Sequence, residues 1–172
     1  MNRLTLDMTA IRDAMYDDRE RHGDALRLLE AAERRDVELG VPPQGWLADV
    51  RGQSGGELAE RVRALLARPG VVALPQVARL SDVTFPAEDL LPGAYVDGFP
   101  EAWDAIAANW RGPGTRPGNF DRWYAESHLL NGRDVFLTDD VGIRTICTRL
   151  RDEYGFPIYA ESLRDYVAEA LR

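Results

Sequence analysis

Apolar and polar positions along the chain follow two periods, one of about 2 residues and one of about 3.6. Arg3 to Asp7 reads as a short buried strand. Ala25, Leu28, Leu29 and Ala32 recur at helical spacing and predict an amphipathic helix over 24–35. Val37 to Val41 reads as a second strand. Pro42 and Pro43 then open a short helix around Trp46 to Arg51, broken by Gly52 to Gly56. Leu58, Val62, Leu65 and Leu66 predict a helix ended by Pro69-Gly70, and Val71 to Leu74 a strand. The stretch from Pro75 to Pro100 has little period and reads as a long loop with short pieces. Trp103, Ile106, Ala107 and Trp110 predict a helix, and RGPGTRPGN (111–119) a loop. Asn119 is expected to cap a helix running to about Asn131. DVFLT (134–138) is strongly strand-like. A helix follows from Val141 to Tyr154, then a short strand from Phe156 to Tyr159 and a C-terminal helix burying Leu163, Tyr166, Val167, Ala170 and Leu171. Strands separated by helices, with no hairpin signal, predict an α/β class, three-layer α/β/α with a mostly parallel central sheet.

The 172 residues suit one domain, and an apolar content of 45% argues against disorder. No apolar run is long enough to span a bilayer, and the opening MNRLTLDMT lacks a secretory stretch. A soluble cytoplasmic protein with no membrane partner is expected. The single cysteine, Cys147, excludes an internal disulfide and a cysteine-based zinc site. Its place in the run Ile143, Ile146, Cys147, Leu150 predicts a buried small hydrophobe. A net charge of −8 argues against tight nonspecific wrapping of nucleic acid. It leaves room for a nuclease, because metal-binding carboxylates are themselves acidic. All 21 basic residues are arginine. Without lysine, P-loop, Schiff-base, haloacid-dehalogenase and response-regulator chemistries are excluded.

The carboxylates then carry the chemistry. Asp7 ends the first strand, in LTLDMT, and Asp139 and Asp140 follow DVFLT directly. In open parallel sheets a site lies beyond the carboxyl ends of the strands, at a switch point. Asp121, at the start of the helix before DVFLT, supplies a third carboxylate if that helix runs antiparallel to the strand. Asp49, in GWLADVRG, is the fourth candidate, with Glu57 in reserve. Carboxylates about 4 Å apart repel by ~4 kcal/mol per pair at an effective dielectric near ~20, and Mg²⁺ or Mn²⁺ reverses that sign. The competing reading is local: aspartates at strand ends often cap helices.

At these residues the sequence resembles the PIN-domain family. LTLDMT gives a hydrophobic strand ending in Asp7, with Thr9 the small polar residue after it. DRWYAESHLLNGRDVFLTDD resembles the family's late signature, an Asp-led helix, turn, strand and Thr-x-Asp, here Asp121, Thr138 and Asp140. RLRDEYGFPIYAESLRDYV is similar to its closing strand and helix. The resemblance covers both ends of the chain. It departs where Trp123, Tyr124 and His128 replace small residues, at the second acidic position, and in an atypical insertion within 71–118. It implies a PIN-like fold and a Mg²⁺- or Mn²⁺-dependent endoribonuclease, of the kind found as the toxin of a toxin–antitoxin pair. Asp7, Asp49, Asp121 and Asp140 would be catalytic, with Asp7, Asp121 and Asp140 holding metal. Thr9 and Thr138 would support the site, and Asp139 would be an outer ligand. RNA would be the substrate, with an antitoxin or other protein, or a second copy of the chain, as partner. The alternative is a PIN-like binding or scaffold module without catalysis, its acidic groove taking an arginine-rich peptide. A phosphatase using Asp7 is disfavoured, since no second Asp stands two residues on.

Other residues carry weaker signals. Arg111 and Arg116 flank the glycine-rich loop before Asp121 and are candidate phosphate contacts, against a solvated loop. His128 lies two helical turns after Asp121, so groove lining competes with packing in the core. His22 belongs to YDDRERHGD (16–24), read as a solvated loop and helix start. Trp103 and Trp110 read as core or a partner interface.

Overall fold

The computed structural model describes residues 1–42, 55–74, 76–77, 90–91 and 96–171. The first strand, β1 (Asn2–Leu6), buries Leu4, Thr5 and Leu6 together, so side chains on both faces are covered. That pattern marks a central parallel strand. β1 pairs in parallel with β2 (Val37–Val41), Leu4 opposite Leu39, and with β6 (Val135–Leu137), Thr5 opposite Phe136. β2 carries β3 (Val71–Ala73) on its far side, and β6 carries β7 (Ala160–Glu161). The order β3-β2-β1-β6-β7 is parallel throughout. The chain winds outward in one direction from β1 and in the other from β6. The carboxyl ends of these two central strands therefore flank the switch point. A separate pair, β4 (Gln76–Val77) and β5 (Leu90–Leu91), is also parallel.

Helices cover both faces. α1 (Met8–Met15) packs on α2 (His22–Glu33) and α3 (Gly55–Leu66), and α2 packs on α7 (Leu163–Ala170). α4 (Phe99–Ala108) packs on α5 (Asn119–Leu130) and α6 (Val141–Tyr154). The result is a three-layer α/β/α fold around the parallel sheet. Its core draws Leu4 and Leu6 from β1, Leu28 and Leu29 from α2, Trp103 from α4, and Ile146 and Leu150 from α6. Among the described residues no helix is long and apolar enough to cross a membrane.

Several element boundaries differ from the sequence expectation. A helix, α1, follows Asp7 directly, with Met8, Ile11 and Met15 on its apolar side. α2 begins at His22 rather than 24, and α4 begins at Phe99, its N-cap Gly98 at φ 71°. Gly118, not Asn119, is the N-cap of α5. The last strand is Ala160–Glu161 rather than 156–159: the Tyr159 carbonyl still accepts from Phe136 N at 2.7 Å, but the ladder forms after it. The short helix expected around 46–51 lies outside the described residues.

Candidate active site

β1 ends at Leu6, and Asp7 turns the chain into α1. Its Oδ1 accepts the Ala10 amide at 2.9 Å, the N-cap hydrogen bond of that helix. Asp140 does the same for α6, accepting Ile143 N at 3.0 Å. Both strand-end aspartates therefore cap helices, as the local reading expected. The caps lie at adjacent central strands, and two threonines join them. Thr9 Oγ1 donates to Asp7 Oδ1 at 2.7 Å and accepts from Asp139 N at 3.4 Å. Thr138 Oγ1 donates to Asp7 Oδ2 and accepts from Asp140 N at 3.2 Å. Two hydroxyl relays thus fasten the Asp139-Asp140 turn to both oxygens of Asp7. Arg144 adds a bond to the Thr138 carbonyl at 2.9 Å.

Asp7 is buried, and burial raises its pKa to about 6 although Thr138, the Ala10 amide and Thr9 pull it down; the Asp139 charge adds to the rise. Asp121 stands in the first turn of α5, its Oδ2 accepting Gly118 N at 2.6 Å. Its carboxyl is also raised, first by burial and then by the charge of Asp140. Buried Cys147 is pushed above the usual thiol range by its burial and, further, by the charges of Asp121 and Asp7. Asp7 and the Asp140 turn are joined through the threonines, and Asp121 feels the charge of Asp140. No ion pair reaches any of the three among the described residues.

The donor chemistry suits a hard cation: carboxylate oxygens carrying unneutralised charge. The spacing is looser than a closed ligand set, since among the described residues no three acidic, imidazole or thiol side chains gather closely enough to hold an ion as placed. Asp49 lies outside the described residues. Glu57, the reserve, is exposed in the first turn of α3 and bonded to Arg61 at 2.9 Å.

Arg111 and Arg116 are exposed on a loop that leans on the start of α6. A Cβ at Gly114 would come within 3.0 Å of Gly142 N, and one at Gly142 would strike the Thr115 carbonyl. His128 does not line a groove. It is buried, with Nδ1 3.1 Å from Thr5 Oγ1 and its ring beside Phe136, and burial lowers its pKa to about 3. Trp103 is core, packed on Phe99.

The sequence reading missed Arg21. It lies in the charged run taken as solvated, yet its guanidinium forms an ion pair with Asp139. Asp13 and Arg19 of the same region pair at 2.9 Å, with Asp13 buried. The run itself carried no signal for the Arg21–Asp139 pair, since Asp139 is remote from it in the chain.

No protein-family model matches the chain, and no curated protein matches it. Among solved structures, the chain is similar to one in the crystal structure of VapBC2 from Rickettsia felis bound to a DNA fragment from their promoter. The TM-score is 0.51 at 11% identity, over 93% of this chain and 98% of that one. At that identity the likeness is one of fold, a three-layer α/β/α arrangement of helices about a parallel sheet.

Proposed function

We propose that the chain is a divalent-metal-dependent endoribonuclease of PIN-like type. The observation that carries this reading is the pair of threonine relays at the switch point. They hold Asp7 and the Asp139-Asp140 turn together, with Asp121 close enough to feel the Asp140 charge. Asp7, Asp121 and Asp140 would hold Mg²⁺ or Mn²⁺, with Asp49 the fourth acid. When bound, the cation supplies positive charge for the phosphoryl oxygens and an acidified water. Thr9 and Thr138 fix the carboxylate plane of Asp7. With its pKa near 6, Asp7 holds a proton at mildly acidic pH and gives it up near neutrality. Arg111 and Arg116 would meet phosphates along the RNA backbone. A protein partner of antitoxin type, or a second copy, would complete the assembly.

A second reading, a binding module without catalysis, draws on two observations. The described acids do not close into a ligand set, and Asp139 already has an internal cation in Arg21. The test is cleavage of a structured RNA by purified protein with Mn²⁺, with and without EDTA, alongside Asp7→Asn and Asp140→Asn. Cleavage should need the metal, and each variant should lose more than the roughly 10–100-fold that loss of an outer contact costs a metal site. Cleavage that survives EDTA, or variants as active as wild type, would reject the mechanism. Metal binding without cleavage across a panel of RNAs would favour the binding module.

A further inference from the structure

Beside the aspartates lies an open cleft of about 460 Å³. Its lining carries five carboxylates, Asp139 and Asp140 among them, and two guanidiniums, Arg19 and Arg21. Such a cleft repels a phosphodiester unless a cation is added or one of its own is set free. Arg19 is committed to Asp13 of α1, 2.9 Å away. Arg21 is differently placed. Its backbone is anchored at the start of α2, where its carbonyl accepts Ala25 N at 3.0 Å. Its acidic neighbours are held elsewhere, Glu20 by Arg164 at 2.9 Å and Asp24 by Arg164 at 3.7 Å. The Arg21 side chain itself reaches the acid edge and pairs with Asp139, whose side chain is only 9% exposed. The pair leaves capacity unused. Arg21 Nη1 meets Asp139 Oδ1 alone, and neither Arg21 Nε nor Asp139 Oδ2 makes a hydrogen bond. A guanidinium has five N–H donors in a fork that matches a phosphate, so contact with one carboxylate oxygen leaves most of that fork unused.

We propose that Arg21 is a phosphate-binding residue of this site, held on Asp139 until a divalent cation takes over the charge of the acid edge. The inference rests on the nuclease reading and names the residue that meets the substrate phosphate. A cation at Asp7 and Asp140 supplies the positive charge that Asp139 draws from Arg21, and it repels the guanidinium. The freed fork then faces the cleft. Metal and Arg21 therefore compete, while metal and phosphate cooperate through Arg21.

The experiment titrates wild type, Arg21→Gln and Arg21→Lys with Mn²⁺ by calorimetry. Anisotropy then follows a labelled 2′-O-methyl oligoribonucleotide, checked intact by gel, with and without Mn²⁺. Arg21→Gln should bind Mn²⁺ several-fold more tightly and, with Mn²⁺ present, bind the oligonucleotide about tenfold more weakly. Without Mn²⁺ its oligonucleotide affinity should match wild type. Arg21→Lys, which keeps the charge and guards against a misfolded Gln variant, should bind Mn²⁺ like wild type and the oligonucleotide a few-fold more weakly. Unchanged or weaker Mn²⁺ binding in Arg21→Gln overturns the proposal, as does a lowered melting temperature with both affinities unmoved. If wild type cleaves RNA while either of those results is seen, this inference falls and the nuclease reading stands. If both affinities shift as expected but no RNA is cut, the inference stands and the nuclease reading falls. A wild type that binds no Mn²⁺ overturns both.

Discussion

Asp7 serves two purposes that pull its stability contribution in opposite directions. As an N-cap it accepts the Ala10 amide, which stabilises α1 by about 1 kcal/mol. As a buried anion it costs free energy, since burial lifts its pKa from 3.8 to about 6. A carboxylate raised on folding binds its proton more tightly in the folded state. Its contribution is therefore fully present below the unfolded value near 4, and is lost as pH rises through about 6. The loss amounts to about 3 kcal/mol by neutral pH. Asp7→Asn keeps the acceptor for Ala10 and removes the charge. In metal-free protein it should match or exceed wild type in stability at pH 7.5. That advantage should shrink towards pH 4, where wild-type Asp7 is already neutral. Chemical denaturation of both proteins across this range checks the sign; an Asn variant less stable by the same amount at both pH values would reduce Asp7 to a cap. That Asp7 and Asp140 follow apolar strands was legible in sequence, because the end of such a strand is visible there. Arg21 was not, because its partner Asp139 is remote in the chain and a charged run looks the same whether it is solvated or folded onto a site.

At the scale of elements, the start of α6 is set by two glycines. Gly142 lies in the first turn, where alanine is ordinarily better by about 1 kcal/mol. Here a Cβ would strike the Thr115 carbonyl and approach Asp140 Oδ1 to 3.0 Å. Backbone cannot give way as a flexible side chain would, so Gly142→Ala should destabilise by about 1–3 kcal/mol, opposite to helix propensity. It should also push the loop carrying Arg111 and Arg116 off the helix, seen as faster proteolysis within 111–118. A variant as stable as wild type would show that this contact does not hold the loop. Such tertiary contacts explain which elements the sequence disclosed. The long periodic helices α2, α5 and α6 and the apolar strands β1, β2 and β6 were legible, because their pattern depends on burial alone. α1 is short and was overlooked, although Met8, Ile11 and Met15 have helical spacing and Asp7 caps them. β7 was placed early because Phe156 and Ile158 look strand-like, while the register is fixed by Phe136 pairing opposite Ala160. The cap at Gly118 could not be read, since glycine offers no side chain and the bond comes from Asp121 reaching back.

For the molecule as a whole, the acid edge joins the two ends of the chain, Asp7 from the N-terminal strand and Asp140 beyond β6, within a protein of net charge −8. A cation held there by folded protein alone must stabilise the fold by mass action, by about 2.7 kcal/mol at a hundredfold excess over its dissociation constant. The same binding must move protons, because carboxylates bind metal in their ionised form. With Asp7 near pKa 6, roughly half of the molecules carry its proton at pH 6 and almost none at pH 8. Mn²⁺ binding should therefore release about half a proton from Asp7 at pH 6 and close to none at pH 8. Affinity should weaken modestly over the same descent in pH. Calorimetry at each pH in two buffers of different ionisation enthalpy reads the release directly. Asp7→Asn supplies the control: whatever it still binds should release fewer protons at pH 6. Binding with equal proton release at both pH values would place the ion away from Asp7, on the exposed acids of the cleft. A release that disappears in Asp7→Asn at pH 6, together with a melting temperature that no longer responds to Mn²⁺, would place it at the switch point between β1 and β6.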